Sequence, residues 1–429
     1  MSAGGYSRNN ICKKTEVKFK TLLSNTIHEA CMKRPGWKET DKDDWDFIWA
    51  DKDWIRMHFD ECRHHLSATA RVNHFRNHYE LTRKDHMVKN LKRMVSNLRR
   101  EDKAAEAAMY DFFPVTYQLP MEYGVFVEDF KRQADRPIWI AKPTGKAQGK
   151  GIFLFTDIRE VKLWRKAAEN RGANKQEDDV EDVENYVVQR YITNPYLVGG
   201  KKFDLRIYVL VTSYMPLTIW LYRSGFARFS AFRYTGARTQ LKDTHLHLTN
   251  VAVQKTAPGY DKESGCKWLI DSLKRYMIAQ HGQEAVNKLF HEIQLLIIRT
   301  LQAVQKVIMI DKHCFELYGY DIMIDEDLKA WLLEVNASPS LTADTSSDHE
   351  LKCGMLDDLL DVIDLEEKRT GDEVQIGGFD LIFNGNHVRP SKPTSVLSAL
   401  GCYNDRLVVK QRAQREYIKN RAAQDKNKS

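Results

Sequence analysis

Carboxylate and amide side chains interrupt two apolar segments late in the sequence. Asp321 lies within Gly319–Ile324, and Glu334 and Asn336 share one predicted face of Ala330–Asn336. Burying such groups costs free energy unless they are paired or bind a metal ion. Oxygen ligands from Asp, Glu and Asn suit Mg²⁺, with phosphate oxygens and water completing its coordination. These residues predict a magnesium site, and an ion pair with a buried lysine is the alternative.

A loop that contains several glycines follows a short apolar segment, Ile138–Ala141, and Lys142 stands between them. In the loop Gly145–Gly151, glycines would let backbone N–H groups approach phosphate oxygens closely. The GxxxxGK[ST] pattern of a Walker A loop is absent. The segment indicates phosphate binding, and an ordinary glycine-rich turn with surface lysines is the alternative.

A third segment, Gly199–Val209, reads as a largely apolar strand with two charged residues on one face. Because side chains alternate along a strand, Asp204 and Arg206 point the same way, opposite to Phe203. An arginine lining a cleft could neutralise a phosphoryl group during its transfer. A mutual surface ion pair between Asp204 and Arg206 is the other interpretation.

Patterns typical of other metal sites are weak. His245 and His247 form an HxH pattern with no evident third ligand, so a structural role is favoured. The seven cysteines are odd in number, widely spread and never in a CxxC spacing, which indicates neither a disulfide framework nor a zinc site.

The elements that must position these residues are mostly strands, and the predicted fold class is α+β. Apolar residues at helical spacing predict helices, and the many basic residues of the helix over Lys84–Lys103 read as a solvated face. The polar, acidic segment Asn170–Glu184 is predicted to be a surface loop. The predicted strands are Ile138–Ala141, Ile152–Phe155, Tyr186–Tyr191, Phe203–Thr212, Leu217–Tyr222, Gly319–Ile324 and Ala330–Asn336; the predicted helices are Lys84–Lys103, Val161–Glu169, Glu284–Ile308, Leu356–Leu365 and Arg406–Lys428.

Composition is that of a globular protein. The 429 residues are 42% hydrophobic and 29% charged, which argues against global disorder. We expect an N-terminal lobe over 1–131, a central and C-terminal catalytic unit over 132–366, and a partly disordered tail over 367–429 that is basic at its end. The chain shows no apolar run of about 18 residues and has a polar beginning, which predicts a cytosolic protein. The net charge of +7 suits an acidic partner.

In their order along the chain, these motifs resemble the tubulin tyrosine ligase-like family. Within that family the pattern is similar to the short, single-module glutamylases linked to ciliary and flagellar tubulin. The resemblance implies an ATP-grasp fold with an additional N-terminal lobe. Further matching segments are Val17–Lys20, Asn25–Ile27, Arg34–Trp37, Thr82–Asp85, Phe113–Pro120, Gly225–Phe229 and His247–Asn250.

The resemblance also implies roles for individual residues. Lys142 and Arg206 would contact the phosphates and act in catalysis, and Asp321, Glu334 and Asn336 match the family's magnesium ligands. The segment Gln189, Arg190, Tyr191 and Ile192 would receive the adenine. The other implied ATP contacts are Gln148, Gly149, Lys202, Phe203, Asp204, Thr249 and Asn250.

The incoming amino acid would be bound by cationic side chains. The guanidinium of Arg228 could bind a carboxylate of glutamate in a bidentate manner, and Lys267 matches a second proposed contact. Both could instead be ordinary surface cations.

The reaction implied by the resemblance is an ATP-dependent, Mg²⁺-requiring ligation through an acylphosphate. Free glutamate would be added to glutamate side chains in acidic tubulin C-terminal tails, in the cytoplasm and cytoskeleton and at a cilium or flagellum. Accessory subunits are possible partners, whereas nucleic acid and membrane are not expected. The alternatives are the same fold adding glycine or tyrosine, and a non-catalytic microtubule- or nucleic-acid-binding protein.

Overall fold

The computed structural model describes residues 16–23, 25–63, 65–161, 185–260, 266–343 and 345–388. It combines helices with three sheets, as the α+β prediction requires. The strands are β1 Val17–Thr21, β2 Trp37–Glu39, β3 Phe47–Trp49, β4 Arg71–Val72, β5 Thr116–Leu119, β6 Trp139–Pro143, β7 Phe153–Phe155, β8 Tyr186–Arg190, β9 Leu197–Val198, β10 Lys201–Tyr214, β11 Leu217–Arg233, β12 Lys267–Leu269, β13 Glu316–Ile324, β14 Ala330–Asn336, β15 Gln375–Ile376, β16 Phe379–Asn384 and β17 Asn386–His387. The helices are α1 Thr26–Met32, α2 Lys52–Arg63, α3 Tyr79–Thr82, α4 Lys84–Arg100, α5 Ala104–Ala108, α6 Tyr123–Arg132, α7 Thr244–His247, α8 Val251–Gln254, α9 Ile270–His281, α10 Gln283–Val304 and α11 Ser346–Ile363.

The largest sheet is antiparallel and has the order β14-β13-β10-β11-β16-β15 along its main path. Its register places Arg206 opposite Asp321, and Asp321 opposite Glu334, so these residues form a row across three neighbouring strands. On the other side of β10, Asp204 lies opposite Arg228 of β11. The register of the strand pairing therefore brings five predicted site residues together.

The two faces of β10 are covered by different elements. Ile207 points into an apolar cluster with Ile293 of α10, whereas Tyr208 points into a second cluster with Met355 of α11. Fully burying a side chain of this size contributes about 1.5–3 kcal/mol. The alternation predicted for this strand is confirmed. Because both faces of β10 are apolar at these positions, helices pack on both sides of the sheet.

A smaller antiparallel sheet, with the order β5-β8-β6-β7, carries the predicted phosphate-binding lysine. Lys142 stands on β6 opposite Val187, and Gln189 of β8 lies opposite Ile140. The sheet packs through Trp139 and Phe155 onto Phe126 of α6. Lys142 thus projects from a strand whose backbone is fixed on both sides.

The remaining sheet is parallel, with the order β2-β1-β3-β4, and packs with α11. Arg34 joins this N-terminal region to the C-terminal end of α11 and the turn after it. Its buried guanidinium donates to Asp357 at 3.0 Å, to Asp361 at 2.8 Å and to Glu366 at 2.7 Å. Residues far apart in sequence are therefore held in one layer.

Some structure differs from the expected division of the chain. β5 and α6 fall in the predicted N-terminal lobe, yet β5 pairs with β8 and α6 packs beside it. β15, β16 and β17 fall in the predicted tail, yet they belong to the largest sheet. Asn170–Glu184, Arg406–Lys428 and all but the first residue of Val161–Glu169 lie outside the described residues. None of the helices in the described ranges is long and apolar enough to cross a membrane.

Candidate active site

Two adjoining cavities lie where the smaller sheet meets the largest sheet. The first is lined by β6, the glycine-bearing loop, the end of β8 and inward-facing residues of β10, β13 and β14. The second is lined by residues of β10, β11 and α11. The two cavities share Ala147, Gln148, Asn250 and Glu334 in their walls.

The first cavity brings together nearly all of the predicted nucleotide contacts. Phe203 is an exception, because β10 alternates and its side chain faces away from Asp204; it is 1% exposed and its ring centre lies 5.3 Å from that of Phe229. The Phe203 side chain therefore does not line this cavity. The predicted contacts that do line the cavity are Lys142, Gln148, Gly149, Gln189, Arg190, Tyr191, Ile192, Lys202, Asp204, Thr249 and Asn250.

Two lysine ammonium groups face this cavity and donate hydrogen bonds to neutral groups. Lys142 Nζ donates to Gln189 Oε1 at 2.8 Å, and Lys202 Nζ donates to the Tyr191 hydroxyl at 2.7 Å and the His247 carbonyl at 3.0 Å. Burial lowers the pKa of Lys142 to about 8 and, together with the neighbouring charge of Lys142, the pKa of Lys202 to about 7. An entering polyanion would favour the charged form of both lysines.

The glycine-bearing loop requires glycine at the point where it approaches the start of α8. Gly149 has a φ of +79°, and a Cβ there would lie 2.8 Å from Val253 Cγ2 and 3.3 Å from Asn250 Oδ1. Both the left-handed backbone and the lack of space exclude a side chain. The loop is therefore built against Thr249 and Asn250, which places these three predicted contacts on one wall.

Opposite charges alternate along the row of site residues in the large sheet. Arg206 donates to Asp321 through Nε at 2.6 Å and Nη2 at 3.1 Å. Arg228 donates through Nε to Asp204 at 2.7 Å, and its Nη2 lies 2.8 Å from Asp321 Oδ2. The interpretation of Asp204 and Arg206 as a mutual surface pair is therefore wrong, because each pairs across strands and is shielded from solvent.

Asp321 stays ionised in this arrangement. Burial alone would raise the pKa of its carboxyl group, but Arg206 and Arg228 outweigh burial and hold that pKa well below its usual range. Burial likewise opposes the charge of Arg228, and the carboxylates of Asp204 and Asp321 raise its pKa well above the ordinary value. The network thus fixes full charges at the floor of both cavities.

The predicted metal ligands converge at the boundary between the cavities. Asn336 Nδ2 lies 3.5 Å from both Asp321 Oδ2 and Glu334 Oε1. Side-chain oxygens of these types fit Mg²⁺. Both Asp321 oxygens accept from arginine and Glu334 Oε1 accepts from Asn336 Nδ2, so a bound Mg²⁺ would have to replace some of these hydrogen bonds. The alternative predicted from the sequence is an ion pair with a buried lysine. The structure contains a similar contact, since Lys84 Nζ lies 3.2 Å from Glu334 Oε2.

Lys84 is a site residue that the sequence reasoning missed. It begins α4, its side chain is only 13% exposed, and it lines the first cavity. The basic composition of this helix led to its interpretation as a solvated face. The signal that could have found Lys84 is the matching segment Thr82–Asp85, to which no role had been given.

The second cavity is strongly cationic. Lys267 lies opposite Arg228 in the pairing of β12 with β11, and Lys352 reaches the cavity from α11. Asp348 links the two lysines, with its Oδ2 2.9 Å from Lys267 Nζ and its Oδ1 3.0 Å from Lys352 Nζ. Arg206 and Lys255 complete the cationic lining. Lys255 and Lys352 were not predicted from the sequence.

The HxH pattern has the structural role that the sequence favoured. The ring nitrogens of His247 lie 3.0 Å from the Tyr191 hydroxyl and 3.1 Å from the Gln240 carbonyl. His245 lies 3.1 Å from the Thr256 hydroxyl. His247 therefore supports Tyr191 at the wall of the first cavity.

Comparison with known proteins identifies the family of this chain. Residues 62–370 match the family model described as the tubulin-tyrosine ligase family. The chain is 49% identical over 427 residues to the probable tubulin polyglutamylase TTLL9 of Mus musculus, covering 92% of this chain and 91% of that protein. The probable tubulin polyglutamylase ttll-9 of Caenorhabditis elegans is 45% identical over 384 residues, with 90% and 88% covered. The probable alpha-tubulin polyglutamylase Ttll1 of Tetrahymena thermophila is 40% identical over 390 residues, with 86% and 93% covered. Because the family model and these relatives cover most of its length, this chain belongs to the tubulin-tyrosine ligase family, whose fold is ATP-grasp-like.

Proposed function

We propose that this chain is an ATP-dependent ligase that adds glutamate to the side-chain carboxylates of glutamates in tubulin C-terminal tails. The observation that carries the proposal is the position of Glu334 and Asn336 between a lysine- and glycine-lined cavity and a strongly cationic one. A triphosphate and two carboxylate-bearing substrates could meet there. The names of the relatives as tubulin polyglutamylases support the same reaction.

The first cavity suits ATP along its whole length. Apolar side chains of Ile140, Leu248 and Met323 offer a surface for adenine, while Lys142, Lys202 and the loop at Gly149 would bind the phosphates. Gln189 keeps Lys142 in place, because Gln189 Nε2 itself donates to Thr116 at 2.9 Å. Glu334 and Asn336, with Asp321, would hold Mg²⁺. When bound, Mg²⁺ would neutralise part of the charge on the phosphates.

The chemistry requires activation of the acceptor carboxylate. A carboxylate oxygen attacks the γ-phosphorus, the bond between that phosphorus and the β–γ bridging oxygen breaks, and ADP leaves with the electron pair. Arg206 lines the second cavity beside Glu334, where its guanidinium would face the phosphoryl group during transfer. The bidentate contact with Asp321 fixes the guanidinium before substrate arrives.

The second step forms the amide bond. The amine of free glutamate attacks the acyl carbon of the acylphosphate, phosphate leaves, and the amine loses a proton. Positioning and fixed charges supply the acceleration, so no serine or cysteine nucleophile is needed. Lys142 and Arg206 are the residues we assign to catalysis.

Charge in the second cavity favours glutamate over glycine or tyrosine. Free glutamate brings a side-chain carboxylate that the other two amino acids lack, and Arg228, Lys267 and Lys352 line the cavity. Arg228 is engaged by Asp204 and Asp321, so its Nη1 is the donor that remains for a substrate carboxylate. Lys267 and Lys352 both contact the carboxylate of Asp348, which holds their ammonium groups at this wall.

The acceptor would be an acidic tubulin tail, attracted by the net charge of +7. This substrate implies work at the cytoskeleton, including the axoneme or basal body of a cilium or flagellum, with accessory subunits as possible partners. A non-catalytic microtubule-binding role is less well supported, because binding alone does not require the convergence of Asp321, Glu334 and Asn336. Neither nucleic acid nor membrane belongs to the proposed reaction.

The test is incorporation of labelled glutamate, glycine or tyrosine into microtubules given Mg-ATP. Glu334→Gln should abolish glutamate incorporation, whereas Glu128→Gln, at an exposed position on α6, should not change it. Microtubules whose tails have been removed by protease should accept no label. Preference for glycine or tyrosine would contradict the substrate assignment. Absence of ATP binding would contradict the ligase reaction itself, whereas ATP binding without incorporation would direct the search to a missing subunit.

A further inference from the structure

A mixed cluster of metal-binding side chains joins the N-terminal region to α11, away from both cavities. Glu29 of α1 meets His349 and Cys353 of α11. Glu29 Oε2 lies 3.0 Å from His349 Nε2, His349 Nε2 lies 3.5 Å from Cys353 Sγ, and Cys353 Sγ lies 4.0 Å from Glu29 Oε2. One oxygen, one nitrogen and one sulfur atom therefore form a small triangle between two helices.

Helix geometry explains why the triangle is compact. His349 and Cys353 are four residues apart on α11, so they lie on the same face, one turn from each other. The facing helix α1 contributes Glu29 from its first turn. Lys33 donates to the other Glu29 oxygen, Oε1, which directs Oε2 towards His349 and Cys353.

The triangle has dimensions that suit a tetrahedral metal ion. Zinc bonds of about 2.0 Å to nitrogen or oxygen and about 2.3 Å to sulfur set donor separations of roughly 3.3–3.6 Å. The observed separations of 3.0, 3.5 and 4.0 Å bracket that range, so shifts of a few tenths of an ångström would suffice. Thiolate and imidazole ligands select a zinc-like ion over Mg²⁺.

Solvent can reach the site. The side chains of Glu29 and His349 are 37% and 44% exposed, which gives an ion a path from solvent and leaves room for a water as fourth ligand.

We propose that Glu29, His349 and Cys353 form a binding site for a thiophilic divalent cation of the Zn²⁺ type, which clasps α1 to α11. Binding replaces the Cys353 S–H bond by a sulfur–metal bond, and the thiol proton passes to solvent. The neighbouring residue Lys352 lines the second cavity and contacts Asp348, so the clasp restrains the turn that presents Lys352. This site is independent of the proposed magnesium ligands.

The test uses the full chain without a histidine tag, in excess Mg²⁺. Adding Co²⁺ should produce a near-ultraviolet sulfur-to-cobalt charge-transfer band that saturates at one ion per chain and is removed by Zn²⁺. Cys353→Ser should lack the band, and Glu29→Gln and His349→Ala should weaken Zn²⁺ binding at least about tenfold. Cys62→Ser and His58→Ala, both on α2, are matched controls that should bind as the unchanged chain does.

Two further measurements make the result decisive. Zn²⁺ should raise the melting temperature of the unchanged chain and of Glu334→Gln, since the magnesium ligands take no part. Circular dichroism should show that each variant is folded. Absence of the band in the unchanged chain, or its persistence in folded Cys353→Ser, would overturn the proposal.

Discussion

Lys84 Nζ at the start of α4 lies 3.2 Å from Glu334 Oε2 on β14. The same ammonium group donates to the carbonyl of Lys146 in the glycine-bearing loop, also at 3.2 Å. A residue of the N-terminal region therefore joins two walls of the first cavity. The helix that carries Lys84 is part of the site rather than a separate support.

Replacing Lys84 should impair the reaction. We expect Lys84→Met to lower kcat by roughly 10²–10³-fold, because the change removes a fixed positive charge near the proposed position of the phosphoryl group. Lys89→Met is the matched control, since Lys89 is on the same helix and 49% exposed. Steady-state glutamate incorporation measures both. Equal activity of the two variants would show that Lys84 has no part in the reaction.

A methyl group at Gly319 should disturb Arg206 without unfolding the chain. A Cβ there would lie 2.9 Å from Pro339 Cβ and 3.2 Å from Arg206 Cδ. We expect Gly319→Ala to lower kcat by about 100-fold while ATP affinity changes little, because a guanidinium displaced by about 1 Å loses its alignment. Gly124→Ala, where a Cβ meets nothing within 4 Å, should be neutral. Loss of ATP binding in Gly319→Ala would contradict this explanation.

Nucleotide binding should take up protons in mildly alkaline solution. Without ligand the pKa of Lys142 is about 8 and that of Lys202 about 7, and a bound triphosphate favours their charged forms. Calorimetry at about pH 8.5 in buffers of different ionisation enthalpy should therefore show proton uptake, which Lys142→Met reduces. ATP affinity should fall as pH rises through this range. Uptake that is unchanged in Lys142→Met would contradict the assignment of Lys142 to the phosphates.

The same pKa values fix the sign of a stability effect. Both lysines have a pKa of 10.5 when unfolded, so between about pH 7 and 10.5 the unfolded chain binds more protons than the folded one. The contribution of these lysines to the free energy of unfolding therefore rises with pH in that window. Denaturant titrations of the unliganded chain and of Lys202→Met, compared across the window, measure it. An equal pH dependence in both would exclude a contribution from Lys202.

A buried ion pair holds β16 to the long strand β11. Arg223 Nη2 donates to Asp380 Oδ1 at 2.7 Å, and the two side chains are 7% and 0% exposed. Asp380→Asn should cost about 3–5 kcal/mol of stability, because it leaves a buried guanidinium without its counter-charge. Asp60→Asn, which breaks an exposed pair with Arg76, should cost at most about 1 kcal/mol. Urea unfolding compares them, and equal losses would contradict the argument.

Local patterns were sufficient to predict the strands that carry the proposed metal ligands. β14 has the predicted bounds, and β13 ends where predicted and begins three residues earlier. Their apolar residues are continuous enough for a carboxylate such as Asp321 to stand out. The two strands pair in antiparallel fashion across the acidic turn that follows Ile324. These features depend on residues close together in sequence, so the sequence alone carries them.

Features that depend on distant residues could not be predicted in the same way. β11 continues to Arg233 instead of ending at Tyr222. The residues after Tyr222 can stay in the strand because Arg223 is paired with Asp380, and because Gly225 leaves room for the Arg206 carbonyl of the neighbouring strand. The pairing of Asp204 with Arg228 depends on the strand register. Amphipathicity showed which face of α4 is buried, but not that Lys84 meets Glu334.

The wall that the two cavities share has a kinetic consequence. Gln148 and Asn250 border both cavities, and Gly149 keeps the loop against Asn250. A nucleotide bound against this loop would thereby complete one wall of the cavity proposed for glutamate. The proposed reaction should therefore follow a compulsory order in which ATP binds before glutamate, so that glutamate alone is not retained.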